Sequence, residues 1–322
     1  MAKKKSPNPI LKALKDATAN EALAVEFLEK QRWADEPYCP LCGVFDTYQM
    51  RSADGQRNKD FRWRCRGCRG MFTVRTRTVF EESRLPLRVW VYAFWKACSS
   101  KKGISALQLS REMEITHKSA LFVLRRIRHG VGDVGPLPKL SGTVEADETY
   151  VGGKPRNKGP HNIRGRGTAR IPVAAVVERG GDVRFKVMPR VTVANLAAAI
   201  LENVDASSRL ITDDLNLYKH VGRFFEGGHE TVKHSEGEYQ RKGTDIHSNT
   251  VEGVFSLVKR GIYGTFHSVS KKHLANYLDE FAFRHNTRKM NDGERVACAI
   301  RKVEGKRIEY RESVEAPPWH SQ

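Results

Sequence analysis

The chain has 322 residues, 39% of them hydrophobic and 29% charged, which suits a folded protein of two or three domains and not a disordered one. Its 56 Lys and Arg outnumber 37 Asp and Glu, and the resulting charge of +19 favours a polyanionic partner, since each phosphate neutralised releases condensed counterions. No run reaches the roughly 18–20 apolar residues that cross a bilayer, which excludes a membrane span of helical type. The opening MAKKKSPNPI is basic with no apolar stretch behind it, so it is not a secretory signal. The expectation is a cytoplasmic, nucleoid-associated protein in a reducing environment, where cysteines serve as metal ligands or free thiols before disulfides.

In chain order, residues 1–30 are expected to form a basic arm or helix. Residues 31–84 hold two CxxC pairs, Cys39–Cys42 and Cys65–Cys68, with 22 residues between them. Each pair lets two thiolates converge from one tight turn, and two pairs complete a tetrahedral site for one structural Zn²⁺. The short alternating runs Tyr48-Gln49, Phe61 to Arg64 and Met71 to Val74 suit three strands, so the segment reads as a zinc ribbon with an arginine-rich second knuckle. Four thiolates leave no open position for chemistry. Cys98 and Cys298 stand alone in apolar helical surroundings and read as packed thiols.

Residues 85–135 are helical. Pro86 precedes an aromatic-rich run from Leu87 to Cys98, as suits a helix with Pro in its first turn. Ser105 to Met113 forms a short amphipathic helix, a turn falls at Glu114 to Thr116, and a second helix runs from Lys118 to Arg128. That is a helix-turn-helix pattern whose second helix offers Lys118, Arg125, Arg126 and Arg128 to DNA.

Residues 140–300 alternate strands and helices, an α/β fold with a mixed sheet flanked by helices. Strands are expected at Gly142 to Gly153, Pro172 to Glu178, Val183 to Val187 and Arg209 to Thr212, with a helix from Val193 to Val204. Residues 154–170 are a Gly- and Arg-rich loop suited to a phosphate backbone. Glu230 to His234 suits a short strand or turn, and His247 to Arg260 leads into a helix with Glu252 near its start and Lys259 and Arg260 on its later, basic face. Asp147, Asp213 and Glu252 thus come from a strand, a strand end and a helix, from which they can converge on two Mg²⁺ ions. Asn276 to Asn286 is apolar at helical spacing and expected to pack on this domain, and residues 301–322 are expected to be a tail.

The ribbon CPLCG…RWRCRGCRGMFTVRTRTVFEESRLPL and the segments VEADETYVGG, LITDDLNLY and HSNTVEGVFSLVKRG carry a resemblance over nearly the whole chain. In that order they resemble the insertion-sequence 1595 family of bacterial and archaeal DDE transposases. The resemblance implies an RNase H-like catalytic domain, recognition of terminal inverted repeats in double-stranded DNA, and Mg²⁺-dependent 3′-end cleavage and strand transfer. It also implies a homodimer or higher oligomer when two ends are brought together. Carried over by motif, Asp147, Asp213 and Glu252 are the catalytic residues. Asp214 competes with Asp213 for the second position. Asn249 competes with Glu252 for the third, because some family members carry Asn there. A DNA-binding regulator without activity and a nuclease that does not join strands are the alternative functions.

Overall fold

Asn8 starts the first described helix, its side chain accepting from the N–H groups of Ile10 at 2.9 Å and Leu11 at 3.4 Å, with Pro9 at the first helical position. The computed structural model describes residues 8–152, 170–233, 236, 238 and 240–308 and divides into two units, Met1–Val131 with Lys289–Gln322, and Gly132–Arg288. In the first unit, α1 (Pro9–Ala19) and α2 (Glu21–Trp33) share Asn20, which ends one helix and caps the next by accepting from Leu23 at 3.1 Å. Residues 9–33 are therefore not an arm: Leu14, Ala17, Ala24 and Leu28 are buried, and the pair packs on α3 (Leu87–Ser99). The basic residues 1–7 lie outside the described residues.

The ribbon is a three-stranded antiparallel sheet of β1 (Thr47–Gln49), β2 (Trp63–Cys65) and β3 (Met71–Phe72), in that order. Trp33 at the end of α2 meets Trp63 and Phe72 edge-on, each with ring centroids 5.8 Å apart. Trp63 Nε1 donates to the Glu29 carboxylate at 2.7 Å, and Arg57 pairs with the same carboxylate. These contacts tie the ribbon to α2. Behind it, Phe80 packs edge-on to Trp90 and Phe94, at 5.3 and 5.8 Å. Trp90 is fully buried, and such rings dominate a core of this size.

Two helices, α4 (Ala106–Glu112) and α5 (His117–Val131), follow with a four-residue turn, so the helix-turn-helix expectation matches the backbone. Two of its four proposed DNA contacts are corrected. Arg126 and Arg128 are only 4% and 2% exposed. Arg126 donates from Nη1 to the carbonyls of Val79 and Glu81, at 2.8 and 2.7 Å, and from Nη2 to that of Ile308 at 2.8 Å. The reason is helical spacing: Arg126 lies three residues after buried Val123, and Arg128 four after buried Leu124, so both fall on the inward stripe. Lys118 is exposed and Arg125 half-buried.

The last described helix, α10 (Asp292–Arg301), belongs to this first unit. It is closed by a capping box between Asn291 and Glu294, and it packs Val296, Ala297, Ala299 and Ile300 among α1, α2 and α3. The catalytic domain expected to run to residue 300 thus ends near Arg288, and the expected tail begins later than residue 301, since Val303 is buried.

The second unit is a five-stranded mixed sheet in the order β6-β5-β4-β7-β8. Its strands are β4 (Thr143–Val151), β5 (Ile171–Glu178), β6 (Val183–Val187), β7 (Arg209–Asp213) and β8 (His229–Val232). The first three form an antiparallel meander, and β7 and β8 add parallel to β4. β5 is apolar from Ile171 to Val177 because both its faces are covered. Ala174 and Val176 face α6 (Val193–Leu201) and α7 (Asn216–Gly222), whereas Val173, Ala175 and Val177 face α8 (Asn249–Gly261) and α9 (Leu274–Asn286). This is the RNase H-like architecture expected. The short helix α7 was not foreseen, and the loop at 154–169 lies outside the described residues. No described helix is long and apolar enough to cross a membrane.

Burial of Arg126 predicts a stability effect where a surface arginine would have none. Arg126→Met removes the donor to three carbonyls, two of these bonds buried and one partly buried, and is expected to cost about 3 kcal/mol in denaturant unfolding, against less than about 0.5 for Arg125→Met.

Candidate functional site

The four cysteines meet in the first unit. Cys39 and Cys65 are buried, Cys42 and Cys68 exposed, and their sulfurs all lie within 4.8 Å of one another. Cys39 Sγ is 3.7 Å from Cys68 Sγ, and Cys42 Sγ is 3.6 Å from Cys65 Sγ. Tetrahedral Zn–S bonds of about 2.3 Å place sulfurs about 3.8 Å apart, so the set fits one zinc ion. Gly43 lets the first knuckle close: at φ +80° it donates to Cys39 O at 2.8 Å, a backbone state that costs glycine little. With no metal, burial pushes the Cys39 thiol up to about 12. Cys42, stabilised as thiolate chiefly by the Val44 N–H, comes down to about 7.

The acidic centre lies in the second unit, where β4 and β7 run side by side. Glu145 pairs with Ile211, and continuing that parallel register by two residues brings Asp147 level with Asp213, the last residue of β7. Carboxylate oxygens of Asp147, Glu148 and Asp213 lie within 4.8 Å of one another. Hard oxygen donors crowded in this way suit a divalent cation. Asp213 also accepts from Leu215 N–H at 3.2 Å, and Asp147 from Glu148 N–H at 2.7 Å. Asp214 is exposed and outside the group.

Glu148 is the residue that sequence reasoning missed. It follows Asp147 directly, and its carboxylate accepts from the buried Tyr218 hydroxyl of α7 at 2.5 Å. Burial and the neighbouring carboxylates push the Tyr218 hydroxyl well above its usual range. The only available signal was the adjacency of two acids on one strand.

Glu252 stands in the first turn of α8, outside the 4.8 Å group. Its carboxylate accepts from Ser248 Oγ at 3.3 Å, and its charge acts on Asp147. Asn249 is exposed at the first position of the same helix. Lys259 and Arg260 are exposed two turns further along. The Asp147 carboxyl is raised to about 8, first by desolvation and then by the charges of Glu148, Asp213 and Glu252.

The comparisons with known proteins join these two centres. Residues 139–286 match the ISXO2-like transposase domain, and residues 19–70 match the transposase zinc-ribbon domain. Both segments are thus similar to domains of the insertion-sequence 1595 transposases. It is similar to an uncharacterised protein of the transposable element ISH50 of Halobacterium salinarum, 29% identical over 278 residues, 82% of this chain and 90% of the relative. Two solved structures are more distant. One is a simian T-cell lymphotropic virus intasome in complex with PP2A regulatory subunit B56 gamma, 13% identical over 60% of this chain and 68% of that one, with a TM-score of 0.29. The other is a pre-cleavage Mos1 transpososome, also 13% identical, over 62% of this chain and 71% of that one, with a TM-score of 0.26. Neither likeness is close enough to bear on function. Both family matches cover the residues of their own centre: the ribbon match takes in all four cysteines, and the transposase match takes in Asp147, Glu148, Asp213 and Glu252.

Two outcomes test these centres. Metal analysis is expected to return about one zinc per chain, and Cys65→Ser to lose it together with the protease resistance of the ribbon. The second concerns Asp147, whose folded-state carboxyl titrates above its unfolded value. Stability of the metal-free protein is therefore lost as pH rises from the unfolded pKa to about 8. Asp147→Asn is expected to melt several degrees higher than the native chain at pH 8 without metal, the gap closing towards pH 4 and shrinking when Mg²⁺ is added.

Proposed function

We propose that the protein cuts and rejoins DNA at the terminal inverted repeats of an insertion sequence, as an Mg²⁺-dependent transposase. The observation that carries this reading is the convergence of Asp147 and Asp213 beside the first turn of α8, where Glu252 stands. In this reading Asp147, Asp213 and Glu252 supply the oxygen ligands of the centre. Divalent cations held there would supply Lewis-acid stabilisation of the attacking and leaving oxygens of a phosphodiester. Asp147 and Asp213, fixed on adjacent strands, would hold the cations in register, and Glu252 would close the third side. The flanking cations would bind the duplex: Lys259 and Arg260 along the later face of α8, and Lys118 and Arg125 on the helix-turn-helix. The +19 charge supports the same partner. Transposition brings two element ends together before joining them to a target, so a dimer or larger assembly on DNA is part of the same proposal.

The test is incubation of the purified chain and Mg²⁺ with labelled duplexes from the two ends of its element. Cleaved and joined strands are the expected products. Asp147→Ala, Asp213→Ala and Glu252→Ala should each lower the rate by several orders of magnitude without loss of end binding. Asp214→Ala and Asn249→Ala should keep most of it. Products that are cut but never joined would reduce the reading to a nuclease, and full strand transfer by Asp147→Ala would remove the metal centre from the chemistry.

A further inference from the structure

Two residues before Asp147, on the same face of β4, Glu145 is completely buried. A carboxylate withdrawn from water must be met by donors, or the charged form is not tolerated. Four meet this one. The N–H groups of Thr250 and Val251 donate to Oε2 at 2.8 and 3.0 Å, and the Thr250 hydroxyl and Arg179 Nε donate to Oε1 at 2.8 and 2.7 Å. His247 Nδ1 lies 3.4 Å from Oε1.

Thr250 and Val251 belong to the first turn of α8, where N–H groups have no partner inside the helix. Ser248, at the capping position, makes no side-chain cap bond. The cap is supplied instead from a strand 105 residues earlier, and its negative charge sits at the positive end of the helix dipole. Arg179 widens the attachment, donating to the carbonyls of His247 at 2.8 Å and Asp245 at 2.7 Å, and Arg209 holds both Asp245 oxygens at 2.9 Å. The approach to α8 is thus held by residues on or just beyond β4, β5 and β7.

We propose that Glu145 is the positioning residue that sets α8, and with it Glu252, against Asp147, and so tunes the affinity of the acidic centre for its cation. The inference rests on the reading of Asp147, Asp213 and Glu252 as ligands. Glu252 follows Val251 directly, so a helix start released from Glu145 carries the third carboxylate out of register. A residue outside the ligand set that orients a ligand typically governs metal affinity by about 10- to 100-fold.

The experiment titrates Mn²⁺ into the full chain and reads free Mn²⁺ by electron paramagnetic resonance, with the fold followed by circular dichroism. Glu145→Gln is expected to weaken Mn²⁺ binding about 10-fold, and Thr250→Val, which deletes one donor and keeps both backbone N–H groups, to weaken it to a smaller extent. A contribution to folding alone would lower the melting temperature and leave Mn²⁺ affinity at the native value, and that result overturns the proposal. Should Glu145→Gln fail to fold, Thr250→Val decides, and native affinity in that variant overturns it equally. Glu252→Ala separates the two layers. If it weakens Mn²⁺ binding while both other variants bind normally, only the positioning role fails. If it too binds normally, the ligand reading fails first.

Discussion

Asp147, Glu148 and Asp213 are held with oxygen atoms within 4.8 Å of one another, and their mutual repulsion is the constraint that the second unit has to withstand. Burial first, and then the charges of the neighbouring carboxylates, raise the Asp147 carboxyl to about 8. A free loop would relieve the repulsion by moving apart. Here Asp147 lies within a nine-residue strand paired on both sides, and Asp213 ends a strand paired to β4 and β8. Their backbones cannot separate without breaking the central ladder. Stability given up in this way at a site is what a functional centre shows when a bound cation supplies the missing charge.

The alternation of side chains along β4 distributes the remaining work. Val144 and Ala146 pack towards α6 and α7, and Glu148 follows them on that side to meet Tyr218. Glu145 and Asp147 point the other way, towards α8. One strand therefore delivers a carboxylate that caps α8, a carboxylate for the centre, and a third that is gripped by α7. The apolar clusters on the two faces of β5 hold these helices in place.

The first unit solves a different problem. Its ribbon strands are two or three residues long and cannot hold together by pairing alone. The four sulfurs and the edge-on contacts of Trp33 with Trp63 and Phe72 supply what the strands lack. Buried Arg126 of α5 does similar work deeper in the unit, joining the segment before α3 to the chain after α10.

The zinc knuckles, the strands β4, β5, β6 and β7, the helix-turn-helix and the helical start at α8 are all legible in the residues themselves, because each depends on spacing between near neighbours. Two CxxC pairs specify a tetrahedral site wherever the turns close, and period-2 or period-3.6 patterns are properties of ten or fifteen consecutive residues. Motif order was enough to single out Asp147, Asp213 and Glu252. The register of β7 against β4 brings Asp213 level with Asp147. Tertiary structure alone decided that Glu148 joins the acidic group and that Glu145 caps a helix 105 residues away. It alone turned Arg126 inward, onto carbonyls 45 and 182 residues distant, and returned α10 to the first unit. In each of these cases the partner is remote in the chain. A charged side chain carries no local mark of whether it will meet water, a phosphate or a buried carbonyl, since that depends on which surfaces the folded backbone brings against it.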